Sequence, residues 1–518
     1  MTRPGARERR ANRWIARLRA SVLAALAVAG LSFRAPSVHA QEPPAPDFAA
    51  VDRFVEEELR ATRLPGLALA LVRGDRIVHL RGFGRADPSG RAVTPQTPFL
   101  IASATKPITA LAIMQLVEAS AVELDAPAQR YVPSFRVADA DASGNITVRQ
   151  LLNHTSGLPT LTGHEHMVFD ADLGEAALEE RVRALRTTRL TAPPGERYQY
   201  SNAGYAALAL IVQVVSGQPY DRYLQRHVYA PLQMRRSFVS KAEAQRHGLA
   251  TGYRYWFGFP APHDWSYSNA ELGAGFTFSS AEDLAHYLIA QLNGGRYGGT
   301  QVLSPDAIAE MHRPAAPTRH GGPFTGEEWY GMGWFVRESE GVRTVAHAGV
   351  APNFHADLVL VPEAGWGIVL LTNGENALQP ARIHELASGV AGLLLGRRPW
   401  TGSENDVFPT ILTYLLAALV VQVAGMAWSI RLLRRWRAQP AGRPRGVAGV
   451  GLHVVLPLAL NALWALVCLV AVPGFLRWPL RALRMMVPDL GTMLALSGGV
   501  ALVWGLLRTA VVLRALAR

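Results

Sequence analysis

Apolar residues recur along this chain with two different periods, and the changes of period divide it. Residues 47–63 carry them at the spacing of an amphipathic helix. After Pro65-Gly66, the run Leu67-Ala-Leu-Ala-Leu-Val72, a turn at Arg73-Gly74-Asp75 and the run Ile77-Val78-His79-Leu80 predict a β-hairpin. Three more strands are predicted far along the chain, at residues 343–346, 354–361 and 366–371. Pro362-Glu-Ala-Gly365 is the turn between the last two, and a closing helix is expected over residues 381–395. From Ser103 to Gly294 helical patterns dominate and strands are few. These patterns predict an α+β fold: an antiparallel sheet built from both chain ends, flanked by helices, with a helical insert.

Four stretches are apolar almost throughout. Residues 21–33 follow an arginine-rich start and precede Val38-His39-Ala40, the small-residue pattern of a secretory cleavage site. At about 1.5 Å per residue this stretch reaches roughly 20 Å, short of a bilayer core of about 30 Å, so residues 1–40 are expected to be a signal peptide cleaved after Ala40. Residues 407–430, 447–472 and 490–507 are each long enough to span, which predicts three transmembrane helices within residues 406–518. Residues 41–405 then form one exported domain.

Charge changes the picture by where it lies. The net charge of +12 is carried by the ends, since residues 41–405 hold 32 basic and 37 acidic side chains. A mildly acidic body with arginine-rich ends argues for a membrane and against a nucleic-acid partner. The connector 431–446 holds six Arg and the connector 473–489 three, so the first is expected on the cytoplasmic side and the body outside. The lone Cys468 falls inside the second span, so the body must be held by its core rather than by disulfides.

The candidate chemistry starts from a scarcity. Of 52 basic residues, 50 are Arg and only Lys106 and Lys241 are Lys. Arginine keeps its proton in any protein environment, whereas a buried lysine can be driven neutral and act as a base. Ser103-Ala-Thr-Lys106 puts such a lysine one helical turn from a hydroxyl, at the buried start of an apolar helix whose unsatisfied N–H groups favour an oxyanion. Tyr200-Ser201-Asn202 opens a second apolar helix and supplies a phenol for proton relay; the later Tyr267-Ser268-Asn269 is read as a loop element. His347-Ala348-Gly349 ends a predicted strand, where the glycine would let a backbone approach closely. His154, in a turn-rich stretch, is read as structural.

Taken in order, Phe99-Leu-Ile-Ala-Ser-Ala-Thr-Lys106, residues 151–159, the stretch from Pro194 to Tyr205 that contains Tyr200-Ser-Asn202, residues 272–284 and His347-Ala-Gly349 resemble the serine β-lactamase and penicillin-binding superfamily. The nearest branch is that of class C β-lactamases and their D-alanyl-D-alanine carboxypeptidase, D-aminopeptidase and esterase relatives. The resemblance covers roughly residues 47–396 and implies a β-lactamase/transpeptidase-like fold with no metal or organic cofactor. It also implies that Ser103 is acylated, that Lys106 and Tyr200 share the proton traffic, and that Asn202 binds the substrate flank beside His347 and Gly349. The backbone N–H groups of Ser103 and Val350 would form the oxyanion hole.

One motif departs from the family. β-Lactamases usually carry Lys-Thr-Gly where this chain has His347-Ala348-Gly349, so recognition of a substrate carboxylate should be weaker. The expected function is therefore a membrane-tethered, extracytoplasmic serine hydrolase working through an acyl-enzyme on an ester, amide or lactam, as a peptidase or esterase rather than a dedicated β-lactamase. Its partners would be a small-molecule or peptide substrate and the membrane. The alternative is a penicillin-binding-type sensor coupled to the spans; a second rival places a lipid or solute site in the spans, resting on His453 and Asn461. The aromatic stretch 252–260, with Trp265 and Tyr267, is read as core packing, with a substrate cleft or the bilayer interface as other roles.

Overall fold

The computed structural model describes residues 46–160, 176–266, 268–318, 327–376, 380–399, 407–439, 443, 446–476 and 478–516. The expected signal peptide and Tyr267 lie outside these residues. The first helix, α1 (Phe48–Thr62), begins where the Asp47 carboxylate accepts from the Ala50 N–H and ends where Arg63 turns left-handed at φ 57°. Strands β1 (Gly66–Arg73) and β2 (Arg76–Gly84) form the predicted hairpin.

The late strands are β3 (Ala316–Pro317), β4 (Glu328–Tyr330), β5 (Phe335–Ser339), β6 (Val342–Ala351), β7 (Phe354–Val361) and β8 (Trp366–Thr372). Together with the hairpin they make one antiparallel sheet in the order β2-β1-β8-β7-β6-β5-β4-β3. The chain ends meet where Leu69 pairs with Leu370. The expected sheet from both ends is present. Strands β3 to β5 are additions, too short or too charged at Arg337 and Glu338 for a period of two to stand out.

Both faces of the central strands are covered, which is why β1 reads as an unbroken apolar run. Leu67, Leu69 and Leu71 face α1 and a helix at Leu386–Leu394, in a core with Val55, Ile368 and Val390. Ala68, Ala70 and Val72 face the other way, with Val369 and Leu371, into the larger core that contains the helical insert. The closing helix is broken at Glu385 into Pro380–His384 and Leu386–Leu394, a correction to the single helix expected. Within the insert, α2 (Lys106–Glu118) and α3 (Asn202–Ser216) pack together.

Three helices after the sheet are long and apolar enough to cross a membrane: Pro409–Ala438, Gly446–Phe475 and Pro488–Leu516. They run past the apolar stretches that predicted them, because arginine propagates a helix well and hydropathy marks what lipid requires rather than where a helix stops. Gln422, Ser497 and Trp464 bond across them, with Trp464 Nε1 donating to Ser497 Oγ at 2.8 Å. Asn461 instead donates to Pro457 of its own helix at 2.7 Å, and the His453 carbonyl accepts from Arg508.

The aromatic stretch forms a hairpin, Tyr253–Trp256 with Phe259–Pro262. Tyr253, Tyr255 and Trp265 are buried, as core packing requires. Its tip is not: Phe257 and Phe259 are 46% and 62% exposed, and the Phe257 N–H donates to Asp489 at the start of the third apolar helix, at 3.0 Å.

Candidate active site

Ser103 sits in a single 3-10 turn, Ala102–Thr105, that runs directly into α2. The turn is entered through Ala102 at φ 44°, a left-handed conformation that a residue with a Cβ adopts only when its surroundings impose it. Those surroundings are two backbone clamps. On one side the Ile101 N–H donates to Thr277 O at 3.0 Å, and the Thr277 N–H donates to Thr105 Oγ1 at 3.2 Å. On the other, Gly349 of β6 lies so close that a Cβ there would stand 1.9 Å from Ile101 O and 3.0 Å from Ala104 N. Glycine is needed at 349 for this approach, as its place at the end of the motif suggested.

Lys106, one turn on, is completely buried, and its Nζ has three oxygen neighbours. It donates to Ala274 O at 2.6 Å and to Asn202 Oδ1 at 2.8 Å, and lies 3.1 Å from Ser103 Oγ. Loss of solvation drives its pKa well below the usual lysine value, against an opposing pull from the Glu271 carboxylate. All three oxygens lie within hydrogen-bonding reach of the one amine, so Nζ links the Ser103 hydroxyl to Asn202 and to the Ala274 carbonyl.

Tyr200 completes the group. Its hydroxyl is hydrogen-bonded to Ser103, and Lys106 Nζ stands 4.6 Å from the centre of its ring. Desolvation within the site raises its pKa, so at neutral pH it is a phenol and not a phenolate. The two pKa values move in opposite directions for one reason: burial disfavours the ammonium of Lys106 and the phenolate of Tyr200 alike.

His154 holds the tyrosine in place. Ser201 N–H donates to His154 Nδ1 at 3.1 Å, which makes Nε2 the protonated nitrogen, and the imidazole packs at 4.4 Å on Tyr200, 5.0 Å on Tyr205 and 4.7 Å on Tyr330. The backbone at His154 is itself left-handed, at φ 57°. The expected structural role is thus one of positioning the Tyr200-Ser-Asn202 motif.

His347 is buried with both ring nitrogens bonded inside the protein. Its Nδ1 lies 2.7 Å from Ala348 O and its Nε2 3.1 Å from the Tyr330 hydroxyl, so Nδ1–H donates and Nε2 accepts. Burial and the nearby Lys106 push its pKa down to about 3. It is uncharged at neutral pH and offers no cation to a substrate carboxylate. Ala348 is exposed beside it, and Val350 is half-buried on the same strand.

Four contributors escaped the sequence reading. The Ala274 carbonyl is backbone, which no side-chain pattern reports. Tyr330 comes from one of the short strands. Glu271 pairs with Arg181, Nε to Oε1 at 2.9 Å, with both side chains buried, although the two are 90 positions apart. Among the described residues, the one gathering of three side chains able to hold a metal is His355, Glu375 and His384. The second lysine, Lys241, pairs with Asp264 and takes no part.

Known proteins resemble this chain in sequence and in fold. The family model described as Beta-lactamase matches residues 51–391. The chain is 28% identical over 403 residues to Protein flp of Staphylococcus aureus strain MW2, covering 74% of this chain and 76% of that protein. It is 31% identical over 316 residues to Penicillin-binding protein 4 of Amycolatopsis lactamdurans, covering 60% of this chain and 81% of that one. Among solved structures it resembles the octameric penicillin-binding protein homologue of Pyrococcus abyssi, with a TM-score of 0.62, 29% identity and coverage of 71% and 81%. It shares a fold with EstCE1, a hydrolase with promiscuous acyltransferase activity, at a TM-score of 0.54, 24% identity and coverage of 63% and 93%.

Proposed function

Because the chain belongs to the beta-lactamase family, within the serine β-lactamase and penicillin-binding superfamily, we propose that it is a serine hydrolase acting through an acyl-enzyme on Ser103. The observation that carries this reading is the buried amine of Lys106, which lies 3.1 Å from Ser103 Oγ and is held there by Ala274 O and Asn202 Oδ1, in surroundings that disfavour its charged form. Ser103 Oγ attacks a carbonyl carbon as Lys106 takes its proton. The new oxyanion is held by the N–H groups of Ser103 and Val350, on a strand that Gly349 brings against the nucleophile turn. The proton then passes from Lys106 through Tyr200 to the departing nitrogen or oxygen, and a water repeats the sequence to release the acyl group.

The substrate class follows from what flanks the nucleophile. Strand β6 pairs with β5 only as far as Ala346, so among the described residues its stretch 347–351 has one unpaired edge beside Ser103. Such an edge can take an extended, peptide-like substrate. A neutral His347 and an alanine at 348 supply no carboxylate anchor, which favours peptidase or esterase action over dedicated penicillin hydrolysis. Asn202 is placed to hold the substrate flank.

The test is chemical. The full chain in detergent is exposed to a fluorophosphonate and separately to a fluorescent penicillin, and the adduct is located by mass spectrometry of its peptides. An adduct on Ser103 is expected with the fluorophosphonate, and slow release from both probes would mark a penicillin-binding peptidase. A folded protein that takes up neither probe would defeat the assignment and favour a non-acylating sensor. The pH profile gives a second expectation: since Lys106 titrates well below the ordinary lysine value, the labelling rate should stay high through neutral pH and fall only as pH drops through that depressed pKa. A rate still climbing steadily from pH 7 towards pH 10 would mean an ordinary, charged lysine.

The three apolar helices tether this unit to a membrane, with the hydrolase on the extracytoplasmic side. The arginine bias supports that side: residues 431–446 hold six Arg against three in residues 473–489. The hydrogen bond of Phe257 to Asp489 joins the domain to the start of the third span, as a three-span topology requires whichever way it faces. A cysteine placed at exposed Ser89 should react with a membrane-impermeant maleimide in intact cells; reaction only after lysis would place the domain inside.

A further inference from the structure

We infer that His355, Glu375 and His384 form a binding site for a borderline divalent cation, Zn2+ above all, that braces the sheet behind the proposed oxyanion strand. The three come from separate elements: His355 from β7, Glu375 from the short strand Gly374–Glu375, and His384 from the end of the helix Pro380–His384. Their ligand atoms all lie within 4.8 Å of one another. His355 Nδ1 stands 3.0 Å from Glu375 Oε2, and His384 Nε2 stands 3.3 Å from Glu375 Oε1. Zinc bonds of about 2.0–2.2 Å in a tetrahedron put neighbouring ligand atoms roughly 3.3–3.5 Å apart, so small adjustments of the side chains suffice.

The surroundings of the cluster fit a cation. His355 Nδ1 and Glu375 Oε2 are both buried and 3.0 Å apart, a separation that serves a pair of metal ligands as well as an ion pair. His355 Nε2 lies 3.0 Å from Asp357 Oδ2. A carboxylate behind a ligating histidine fixes its tautomer, leaving Nδ1 with a lone pair, and raises its basicity. Two imidazoles and one carboxylate suit Zn2+ better than the all-oxygen cations. His384 is 40% exposed at its side chain, which gives an entry path and room for a water as fourth ligand.

The position explains what the cation does. His355 is the cross-strand partner of Val350 on one side and of Thr372 on the other. A metal bridging His355, Glu375 and His384 ties β7, the chain after β8 and the closing helices together, and holds β6 through β7. Its effect is on stability, and the Ser103 chemistry does not pass through it.

The experiment uses the full chain in detergent, stripped with a chelator and dialysed against ZnCl2. Elemental analysis should find about one zinc per chain, and the thermal midpoint should rise by roughly 5–10 °C at saturating zinc. Co2+ in place of zinc should give the visible absorption of a tetrahedral site. His384→Ala, at a half-exposed position, should keep the circular dichroism spectrum and fluorophosphonate labelling of the native chain while losing zinc retention and the thermal shift. Zinc retained equally by His384→Ala, or no stoichiometric zinc in either protein, would overturn the inference and leave the cluster as an imidazolium between carboxylates. Labelling of Ser103 reads the hydrolase assignment separately.

Discussion

Replacing Lys106 by methionine should slow acylation of Ser103 by about 10²–10⁴-fold, the range for loss of a positioned base. Methionine matches the length of the side chain but has no lone pair able to take a proton at this position. The fold should survive, because the native site already holds the lysine against a desolvation penalty and methionine removes that penalty. Against this gain, Ala274 O and Asn202 Oδ1 lose a donor, at roughly 1–3 kcal/mol for each group left unsatisfied, so a moderate fall in thermal midpoint is the upper expectation. Lys106→Arg should not rescue the rate: a guanidinium keeps its proton and is too large for a fully buried position. Single-turnover labelling with the fluorophosphonate measures the step directly, and near-native acylation of Lys106→Met would remove the amine from the mechanism.

The second large effect is expected at Gly349. An alanine Cβ there would stand 1.9 Å from Ile101 O, and a main-chain carbonyl cannot swing aside as a side chain can. Either β6 moves away from the nucleophile turn or the turn moves away from β6. A displacement of about 1 Å between reacting groups is enough for a 10²-fold loss of rate, and forced overpacking costs about 1–3 kcal/mol. Gly349→Ala should therefore lose both labelling rate and thermal stability. Gly299→Ala, where nothing lies within 4 Å of the added carbon and the backbone is unstrained, is the matched control and should change neither. Equal behaviour of the two variants would mean that β6 and the turn are not held in contact.

These two residues also show how far the sequence could be read. Lys106 was legible because lysine is scarce and the spacing of three from Ser103 is a local, helical relation. The sheet was legible because β1, β7 and β8 are long enough for their apolar runs to declare themselves. Strands β3 and β4 carry two and three residues, and the break at Glu385 lies inside an otherwise continuous apolar pattern. Periodicity needs length, so these features were silent. The departure at residue 347 was visible as a change of residue type, but sequence gave histidine only its ordinary, partly charged behaviour. Burial against Tyr330 and Lys106 is what makes it neutral.

By itself, the sequence pointed to a beta-lactamase-like unit followed by three apolar helices, to the sheet built from both ends, and to Ser103 with Lys106 as a pair. Each of those rests on hydrophobic period, composition or short spacing, which are local properties of a chain; that Tyr200 and Asn202 belong with the pair came from the resemblance of the ordered motifs to a known family. Only the tertiary structure decided how those residues hold their protons. The depressed pKa of Lys106, the hydrogen bonds of His154 and His347, and the approach of Gly349 to Ile101 depend on solvent exclusion and on atoms distant along the chain. So does the convergence of His355, Glu375 and His384. Desolvation and hydrogen-bond direction exist only once the chain is packed, so no pattern along it can report them.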